Sequence, residues 1–346
     1  MSDAAPGLTY GAAGVDREVA ARAKSRIAQL VESTRTEAVL SRAGGFGGLF
    51  RVPAGFRDPV LVSSADGVGT KLKVAMLADR HDTVGVDLVH HCINDILVEG
   101  ARPLFFLDYI GMGRLEERIV EQLVEGLARA CRDNGCVLLG GETAEMPDFY
   151  EPGEYDLAGF IVGMVDGDAR PGAHRVAAGD SLVALASSGF HTNGYSLLRR
   201  LLFDRMRLRV DDTYPGQTES IADVLLRPHR SYANALLPLI QDGRIKALAH
   251  ITGGGIPENL VRVLPGKVHA VIERASWQVP AEFTAVQTHG RVSDEEMFLT
   301  FNMGVGMIVA VDAAAADAVS AAAARAGEFA WRIGRLEQGA RGVSIQ

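Results

Sequence analysis

Short apolar runs alternate with segments of helical period along the first half of the chain. Apolar residues recur every three to four positions in the helical segments, and the runs between them have the length of strands. The predicted elements are helices over 16–31, 87–99 and 115–132 and strands over 59–63, 104–110, 137–139 and 158–165. Alternation of this kind places strands and helices in packed layers. The first half is therefore predicted to be an α/β domain.

The apolar period stops at 166–180, where glycine, proline and charged residues predominate. A second set of segments follows, with predicted strands over 181–186, 247–252, 268–272 and 305–311 and predicted helices over 195–203, 232–240 and 313–326. A chain of 346 residues also has the length of two domains of about 150 residues each. We therefore predict two domains, 1–170 and 171–346, in a layered α/β (α+β) fold.

Composition narrows the choice of partners. With 35 basic and 43 acidic residues the net charge is −8, so the chain has no global electrostatic reason to bind nucleic acid. A membrane protein or an exported one is not expected, because no run of about 18 apolar residues and no basic-then-apolar N-terminus occurs. Cys92, Cys131 and Cys136 form no C-x-x-C pair and suggest no disulfide framework. We expect small-molecule or protein partners in a reducing cytoplasm.

The densest group of candidate site residues follows the strand predicted over 59–63. It reads Asp66-Gly67-Val68-Gly69-Thr70-Lys71, where two glycines allow backbone N–H groups to approach an anion and a lysine adds a positive charge. Neither the Walker A pattern nor G-x-G-x-x-G is present, since Leu72 occupies the last glycine position. The segment indicates a polyphosphate site of another kind, and an ordinary glycine turn is the alternative.

Acidic residues occur in two further segments of the first half. Asp87 and Asp95 are eight residues apart on a predicted helix and therefore lie on nearly the same face. Glu142 and Glu145 follow the strand predicted over 137–139. Because Mg²⁺ prefers several oxygen ligands and bridges phosphate oxygens, convergence of these acids on Asp66 would form a magnesium site. An isolated aspartate on a helix is otherwise a solvated group.

In the second half, the segments SSGFHTNG at 187–194 and TGGG at 252–255 each follow a predicted strand and precede a helix. Free backbone N–H groups at such positions can form a phosphate-binding site. His191 could act there as a general acid or base, or could be a capping or packing residue. The run His90-His91-Cys92 is not predicted to bind a metal, because adjacent helical residues diverge by about 100°.

Taken together, these segments resemble the phosphoribosylformylglycinamidine cyclo-ligases, the AIR synthetases of purine biosynthesis. The resemblance covers nearly the whole chain, from YGAAGVD at 10–16 to FNMGVGM at 301–307. The motifs between them are GGFGGLF, DGVGTKL, RHDTVGVDLV, NDILVEGARPLFFLDY, LLGGETAEMP, YDLAGF, SSGFHTNGYSL and HITGGGIPENLVRVLP. The chain departs from the family pattern at Ser64-Ala65 and at Asp148, and neither departure replaces a candidate charge carrier.

The resemblance implies a fold and a reaction. The N-terminal domain would donate strands to a barrel shared by a homodimer, and the C-terminal domain would be a ferredoxin-like layered domain. ATP and formylglycinamidine ribonucleotide would give aminoimidazole ribonucleotide, ADP and phosphate. An amide oxygen is a poor leaving group, so ATP would phosphorylate the formyl oxygen before the amidine nitrogen attacks that carbon and phosphate leaves.

The resemblance also implies roles for individual residues. Mg²⁺ would be held by Asp66, Asp95 and Glu142, and the triphosphate would be neutralised by Lys71, with backbone access at Gly67, Gly69 and Thr70. Catalysis would involve His191, Lys71 and Asp95. The ribonucleotide would be faced by His191 and Asn193 and by the turn Thr252-Gly253-Gly254-Gly255. Whether a monovalent cation takes part is left open.

Three alternatives are kept. Thiamine-monophosphate kinases and selenophosphate synthetases share an Asp-rich nucleotide site, although the second-half motifs match the cyclo-ligases. A non-catalytic nucleotide-binding subunit is the alternative from another class.

The glycines at 44–48 could form a lid that closes over the nucleotide and excludes water, or they could form a static turn.

Overall fold

The first sheet has four strands, all from the first half of the chain. The computed structural model describes residues 17–42 and 45–346, with the side chains of 17–24 left out. The strands are β1 (Pro59–Gly67), β2 (Arg102–Met112), β3 (Val137–Glu145) and β4 (Tyr155–Asp166), in the order β1-β4-β2-β3. β4 is antiparallel to β1 and β2, and β2 is parallel to β3. The strands β1, β2 and β3 therefore end at one edge of the sheet.

Helices cover one face of this sheet. They are α1 (Arg17–Glu32), α2 (Lys71–Ala78), α3 (Asp82–Leu97) and α4 (Glu117–Asp133). α3 packs on β1 and β4, and α4 packs on α3. Gly85 and Gly126 permit the close approach of α3 and α4, because a Cβ at Gly126 would meet the backbone carbonyl oxygen of Asp82. The opposite face of the sheet is open, and Leu61 and Phe160 are exposed on it.

The second sheet has six strands in the order β10-β7-β9-β5-β8-β6. Its strands are β5 (Ser181–Ala186), β6 (Ala247–His250), β7 (Val268–Ile272), β8 (Val305–Val311), β9 (Ala330–Gln338) and β10 (Gly342–Ile345). The only parallel pair among these described strands is β7 with β10. β8 is buried along its whole length, as a central strand covered on both faces should be.

Seven short helices accompany this sheet in the described part of the chain. They are α5 (Tyr195–Arg199), α6 (Ile221–Leu225), α7 (Ala233–Gln241), α8 (Gly255–Leu260), α9 (Ala281–Gly290), α10 (Asp294–Thr300) and α11 (Ala316–Arg325). α5 continues as a π-helical turn over Arg200–Arg205. α11 packs on β5 and β9. None of the helices between 17 and 346 that the structure describes has the length and apolar character that crossing a bilayer requires.

The two sheets with their helices confirm the predicted mixed α/β class, and the strands over 181–186, 268–272 and 305–311 have the predicted bounds. All four strands of the first sheet are longer than predicted, and β1 and β3 differ most from the prediction. β1 continues through Gly67, and β3 continues through Glu145, so Glu142 lies within a strand rather than after one. Ladder hydrogen bonds with neighbouring strands hold these glycine-containing segments extended although their composition suggests turns. β9 and β10 were not predicted.

Candidate active site

A pair of carboxylates lies where the end of β1 meets α3. Side chains alternate across a strand, so Ser64 and Asp66 point to the helix-covered face. The Ser64 hydroxyl donates to Asp95 Oδ2 at 3.1 Å, and the Gly67 N–H donates to Asp66 Oδ1 at 2.7 Å. Both side chains keep some contact with solvent, at 38% exposure for Asp66 and 29% for Asp95. The structure therefore brings together two of the three predicted magnesium ligands.

His91 stands between these two carboxylates. Its Nε2 is 2.7 Å from Asp66 Oδ2 and 3.8 Å from Asp95 Oδ2. Burial opposes the charged imidazole, but the hydrogen bond that His91 donates to Asp66 and the charges of both aspartates raise the pKa of His91 above its ordinary value. Burial also raises the pKa of Asp66, yet the contact with His91 outweighs it and leaves that pKa lowered.

Further histidines from the second domain continue this group. His250 Nδ1 lies 2.9 Å from Asp95 Oδ1, and His250 Nε2 lies 3.0 Å from His229 Nε2. His91 Nδ1 lies 2.9 Å from the hydroxyl of Thr192, which is 3.4 Å from His229 Nδ1. Burial lowers the pKa of His229 far below its ordinary value and also lowers that of His250, which Asp95 partly offsets. These contacts join the two domains through an interface of buried polar side chains.

His191 belongs to the same interface but has little access to solvent. It is 1% exposed, and its ring stacks on that of His229 with centroids 3.9 Å apart. The Ser188 N–H donates to its Nε2, and its Nδ1 is buried without a hydrogen-bond partner. Burial keeps the pKa of His191 well below its ordinary value. The structure therefore gives His191 a packing position, not the solvent-facing position expected for a general acid or base.

Lys71 likewise differs from expectation. It is the first residue of α2 and is fully buried, with Nζ 2.8 Å from Asp87 Oδ2. The ammonium also donates to the carbonyl oxygens of His191 and Arg227, at 3.1 and 2.8 Å. Burial lowers the pKa of Lys71, and the charge of Asp87 opposes that shift. All three N–H bonds are used, so Lys71 and Asp87 link the domains and are not available to a phosphate in this arrangement.

Glu142 is not brought to the carboxylate pair. It is in register with Tyr109, Ala158 and Gly67 across the sheet, and residues in register share a face. That face is the open one, whereas Asp66, the neighbour of Gly67, points to the helices. β3 also lies three strands from β1, a separation of roughly 14 Å at the usual strand spacing. Within one chain, Glu142 and Asp66 therefore cannot share an ion.

The predicted loops of the second half do come together beside the carboxylate pair. A Cβ on Gly253 would lie 3.2 Å from Asn193 Oδ1, so the segments 187–194 and 252–255 touch. Gly254 has φ +87° and Gly255 has φ +57°, which only glycine adopts freely. Thr70 Oγ1, at the start of α2, is 3.1 Å from Ser196 Oγ. Segments 66–70, 192–196 and 250–254 therefore lie close together where the two domains are in contact.

The glycine-rich segment near 44–48 lies partly outside the described residues, which begin again at 45. Phe46 is fully exposed, and a Cβ placed on Gly47 would meet no atom within 4 Å. Gly69 has φ +71°, in agreement with a turn after β1 that favours glycine.

Sequence reasoning missed the three histidines that contact the site. His91 and Asp95 are four residues apart on a helix, which places them on one face and was a usable signal. The run 90–92 does diverge as predicted, since His90 turns away to the carbonyl oxygen of His229 at 2.6 Å. Nothing local marks His229 or His250, because their contacts with the first domain are to Asp87 and Asp95, more than 100 residues away along the chain.

Comparison with known proteins first gives the class. The chain matches the N-terminal domain of the AIR synthase related proteins over 52–165 and their C-terminal domain over 177–345. Its fold is similar to that of thiamine-monophosphate kinase from Stenotrophomonas maltophilia K279a, with a TM-score of 0.69, 19% identity and 96% of each chain covered. Hydrogenase maturation protein HypE, solved in complex with ATP, gives 0.66 and 17%, over 91% of this chain and 88% of that one. Both domains of the chain are thus those of the AIR synthase related proteins, and the chain shares its fold with these two structures.

A sequence relative then gives the family. The phosphoribosylformylglycinamidine cyclo-ligase of Trichlorobacter lovleyi is 49% identical over 333 residues, which cover 96% of this chain and 95% of the relative. The chain belongs to the phosphoribosylformylglycinamidine cyclo-ligase family. This result confirms the family that the motifs indicate and the prediction of a ring-closing ligase.

Proposed function

We propose that the chain catalyses the ATP-dependent closure of formylglycinamidine ribonucleotide to aminoimidazole ribonucleotide, with release of ADP and phosphate, in purine biosynthesis. The observation that carries the proposal is that the elements bearing Asp66 and Asp95 contact the 192–193 and 250–253 segments, through His91 with Thr192 and through Asp95 with His250. ATP would bind on the side of the first domain and the ribonucleotide on the side of the second. A purine-biosynthetic ligase of this kind would act in the cytoplasm.

The reaction needs an activated oxygen and a nearby nucleophile. Transfer of the terminal phosphoryl group of ATP to the formyl oxygen makes that oxygen a leaving group. The amidine nitrogen then attacks the same carbon, and the carbon–oxygen bond breaks as phosphate departs. The protein's part is to hold the two substrates in line and to balance the charge of the transferring group.

The donor set of the carboxylate pair fits a divalent cation. Asp66 Oδ2 and Asp95 Oδ2 both approach one ring nitrogen, and the lowered pKa of each aspartate keeps it ionised although burial acts against ionisation. Such oxygens are ligands that Mg²⁺ prefers, so Asp66 and Asp95 would hold the ion, which would supply positive charge to neutralise the phosphates. We assign phosphate contacts to the backbone of Gly67 and Gly69 and to Thr70.

Roles in the second domain follow from the solvent exposure of its residues at the domain contact. Asn193, Thr252, Gly253 and Gly254 are part-exposed or exposed there, so we assign them to the ribonucleotide. Gly255 is buried and would support the turn. We revise the roles of His191 and Lys71 to positioning: their buried contacts fix the 187–194 segment against α2 and α3.

We infer a homodimer that uses the open face of the first sheet. Leu61 is 63% exposed and Phe160 is 46% exposed there, which is unusual for large apolar side chains on neighbouring strands of one sheet. A second copy would cover this face and close the two sheets into a barrel. Glu142 lies on the same face, so any contribution it makes to a nucleotide site would arise at that interface. The second domain, proposed to begin at 171, would keep its ferredoxin-like layers outside the barrel.

Replacement of Asp95 by Asn tests the proposal. The variant keeps the size of the side chain and removes one unit of charge from the metal site, so we expect turnover to fall by about a hundredfold or more at saturating Mg²⁺. Release of ADP and formation of the aromatic amine product are both measured, with and without formylglycinamidine ribonucleotide. Asp242→Asn, an exposed acid on another surface, is the control. ATP consumption without cyclised product, or wild-type turnover in Asp95→Asn, would contradict the assignment.

A further inference from the structure

Ser64 is a hydrogen-bond donor to one of the two carboxylates of the candidate site. It lies two residues before Asp66 on β1, so both side chains are on the helix-covered face, whereas Ser63 is exposed on the open face. The Ser64 hydroxyl is 3.1 Å from Asp95 Oδ2 and makes no other hydrogen bond within the described part of the chain. A carboxylate can only accept, so the hydroxyl proton is directed to Asp95.

The second oxygen of Asp95 is held from another direction. Its Oδ1 lies 2.9 Å from Nδ1 of His250, the last residue of β6 in the second domain. Ser64 therefore contacts one oxygen from the first domain, and His250 contacts the other from the second. The torsion about the Cβ–Cγ bond of an aspartate is soft, so contacts at both oxygens are needed to fix the plane of the carboxylate.

Asp95 would have an alternative orientation if a donor were lost. It lies in the last turn of α3, where the carbonyl oxygens at the helix end disfavour a negative charge, and 29% of its side chain is exposed to water. Ser64 has little such freedom, because its backbone is paired with Ile161 of β4 and its side chain has one carbon–carbon torsion. Loss of the hydroxyl would therefore let the carboxylate turn toward water while β1 stays in place.

Resting on the proposed carboxylate centre, we propose that Ser64 is a positioning residue, whose hydroxyl fixes Asp95 in the orientation that receives the divalent cation. A carboxylate oxygen has two lone pairs, so the bond from Ser64 leaves one lone pair of Oδ2 for the ion. Hydrogen-bond partners of this kind orient metal-binding side chains, and their removal costs about tenfold to a hundredfold in affinity. The contact is made from outside the motif DGVGTKL, at a position where the chain departs from the family pattern.

Removal of the hydroxyl tests the inference on the full-length protein without nucleotide. Binding of Mn²⁺, used as the probe for a divalent cation, is measured from the electron paramagnetic resonance signal of the free ion. We expect the Mn²⁺ affinity of Ser64→Ala to fall by about tenfold. Ser64→Thr keeps the hydroxyl and should bind within about threefold of the wild type, and Ser64→Cys, with its weak thiol donor, should lie between them. Ser63→Ala removes the adjacent hydroxyl on the opposite face and should bind as the wild type does.

The dependence of turnover on Mg²⁺ separates positioning from structural damage. We expect Ser64→Ala to need about tenfold more Mg²⁺ for half-maximal turnover and to reach the wild-type rate at saturating Mg²⁺, because occupancy is impaired and the chemistry is not. A general disturbance of β1 would instead lower the rate at every concentration of Mg²⁺.

The outcomes separate this inference from the proposed function. If Ser64→Ala binds Mn²⁺ as tightly as the wild type while Asp95→Asn loses binding, Ser64 does not position Asp95, and the carboxylate centre stands. An equal loss of affinity in Ser63→Ala, or a lowered rate of Ser64→Ala at saturating Mg²⁺, would also overturn the inference. If Asp95→Asn binds Mn²⁺ as tightly as the wild type, the carboxylate centre itself is overturned and the inference is lost with it.

Discussion

Single side chains at the domain interface determine how the protein responds to acid. His191 and His229 are fully buried, stacked on each other and neutral, because burial and neighbouring positive groups depress the pKa of each ring. In the unfolded chain both rings take up a proton near their ordinary pKa of 6.5. Below that pH the unfolded state binds more protons than the folded state. Stability is therefore present above pH 6.5 and decreases as the pH falls below it.

We expect the free energy of unfolding to decrease between pH 7 and pH 5.5, by up to about 1.4 kcal/mol per pH unit for each of these two histidines. His229→Gln removes one titrating group, so its stability should depend less steeply on pH. Urea denaturation at several pH values measures the slope. His174→Gln, at an exposed histidine, should leave the slope unchanged. An equal slope in His229→Gln and the wild type would contradict the proposed neutral state of this ring.

At the scale of elements, the contact between α3 and α4 positions the site. α3 carries both His91 and Asp95, and it is held at its N-terminal end by close packing of two glycines against the partner helix. Helices approach this closely only where side chains are absent at the contact. The distance from α3 to β1, and with it the spacing of the two carboxylates, depends on this contact.

Gly126→Ala should therefore destabilise the first domain, although alanine favours a helix. The added methyl group would meet the backbone carbonyl of Asp82, which cannot move without shifting α3. We expect a net loss of about 1–2 kcal/mol in the free energy of unfolding, since overpacking costs more than the gain in helix propensity. Thermal denaturation measures it. Gly266→Ala, where a Cβ meets nothing within 4 Å, is the control, and equal stability of both variants would refute the packing argument.

At the scale of the whole molecule, the two faces of the first sheet differ in what covers them. One face is covered by helices, and Asp66 lies on it near the contact with the second domain. The other face exposes large apolar residues and Glu142. The proposed second copy would bury this face. Dimer formation should therefore depend on residues of the open face and not on residues of the candidate site.

Phe160→Glu should convert the proposed dimer into a monomer, because a charge on the open face would be buried without a partner. Sedimentation equilibrium gives the mass of each form in solution. Phe329→Glu changes an exposed phenylalanine just before β9 of the second domain and should leave the dimer intact. A monomeric wild-type protein, or a dimer that persists in Phe160→Glu, would contradict the use of this face.

Much of the architecture could be read from local pattern. Uniformly apolar segments such as 305–311 are strands because backbone pairing and burial favour the same conformation. The motifs were sufficient for the family and for the Asp66–Asp95 pair. β9 could not be predicted in this way, because its alternation is interrupted by Arg332 and Arg335 and its conformation depends on pairing with β5 and β7.

The sequence alone determined the class of fold, the family and the charged residues that were candidates for the functional site. Only the tertiary structure decided which of them meet. Lys71 and Asp87 neutralise each other inside the interface, Glu142 lies on the opposite face, and His91 lies against the carboxylates of Asp66 and Asp95. The physical reason is that local spacing determines the side of a helix or strand, whereas burial and the partner of a charge depend on segments far apart in the chain.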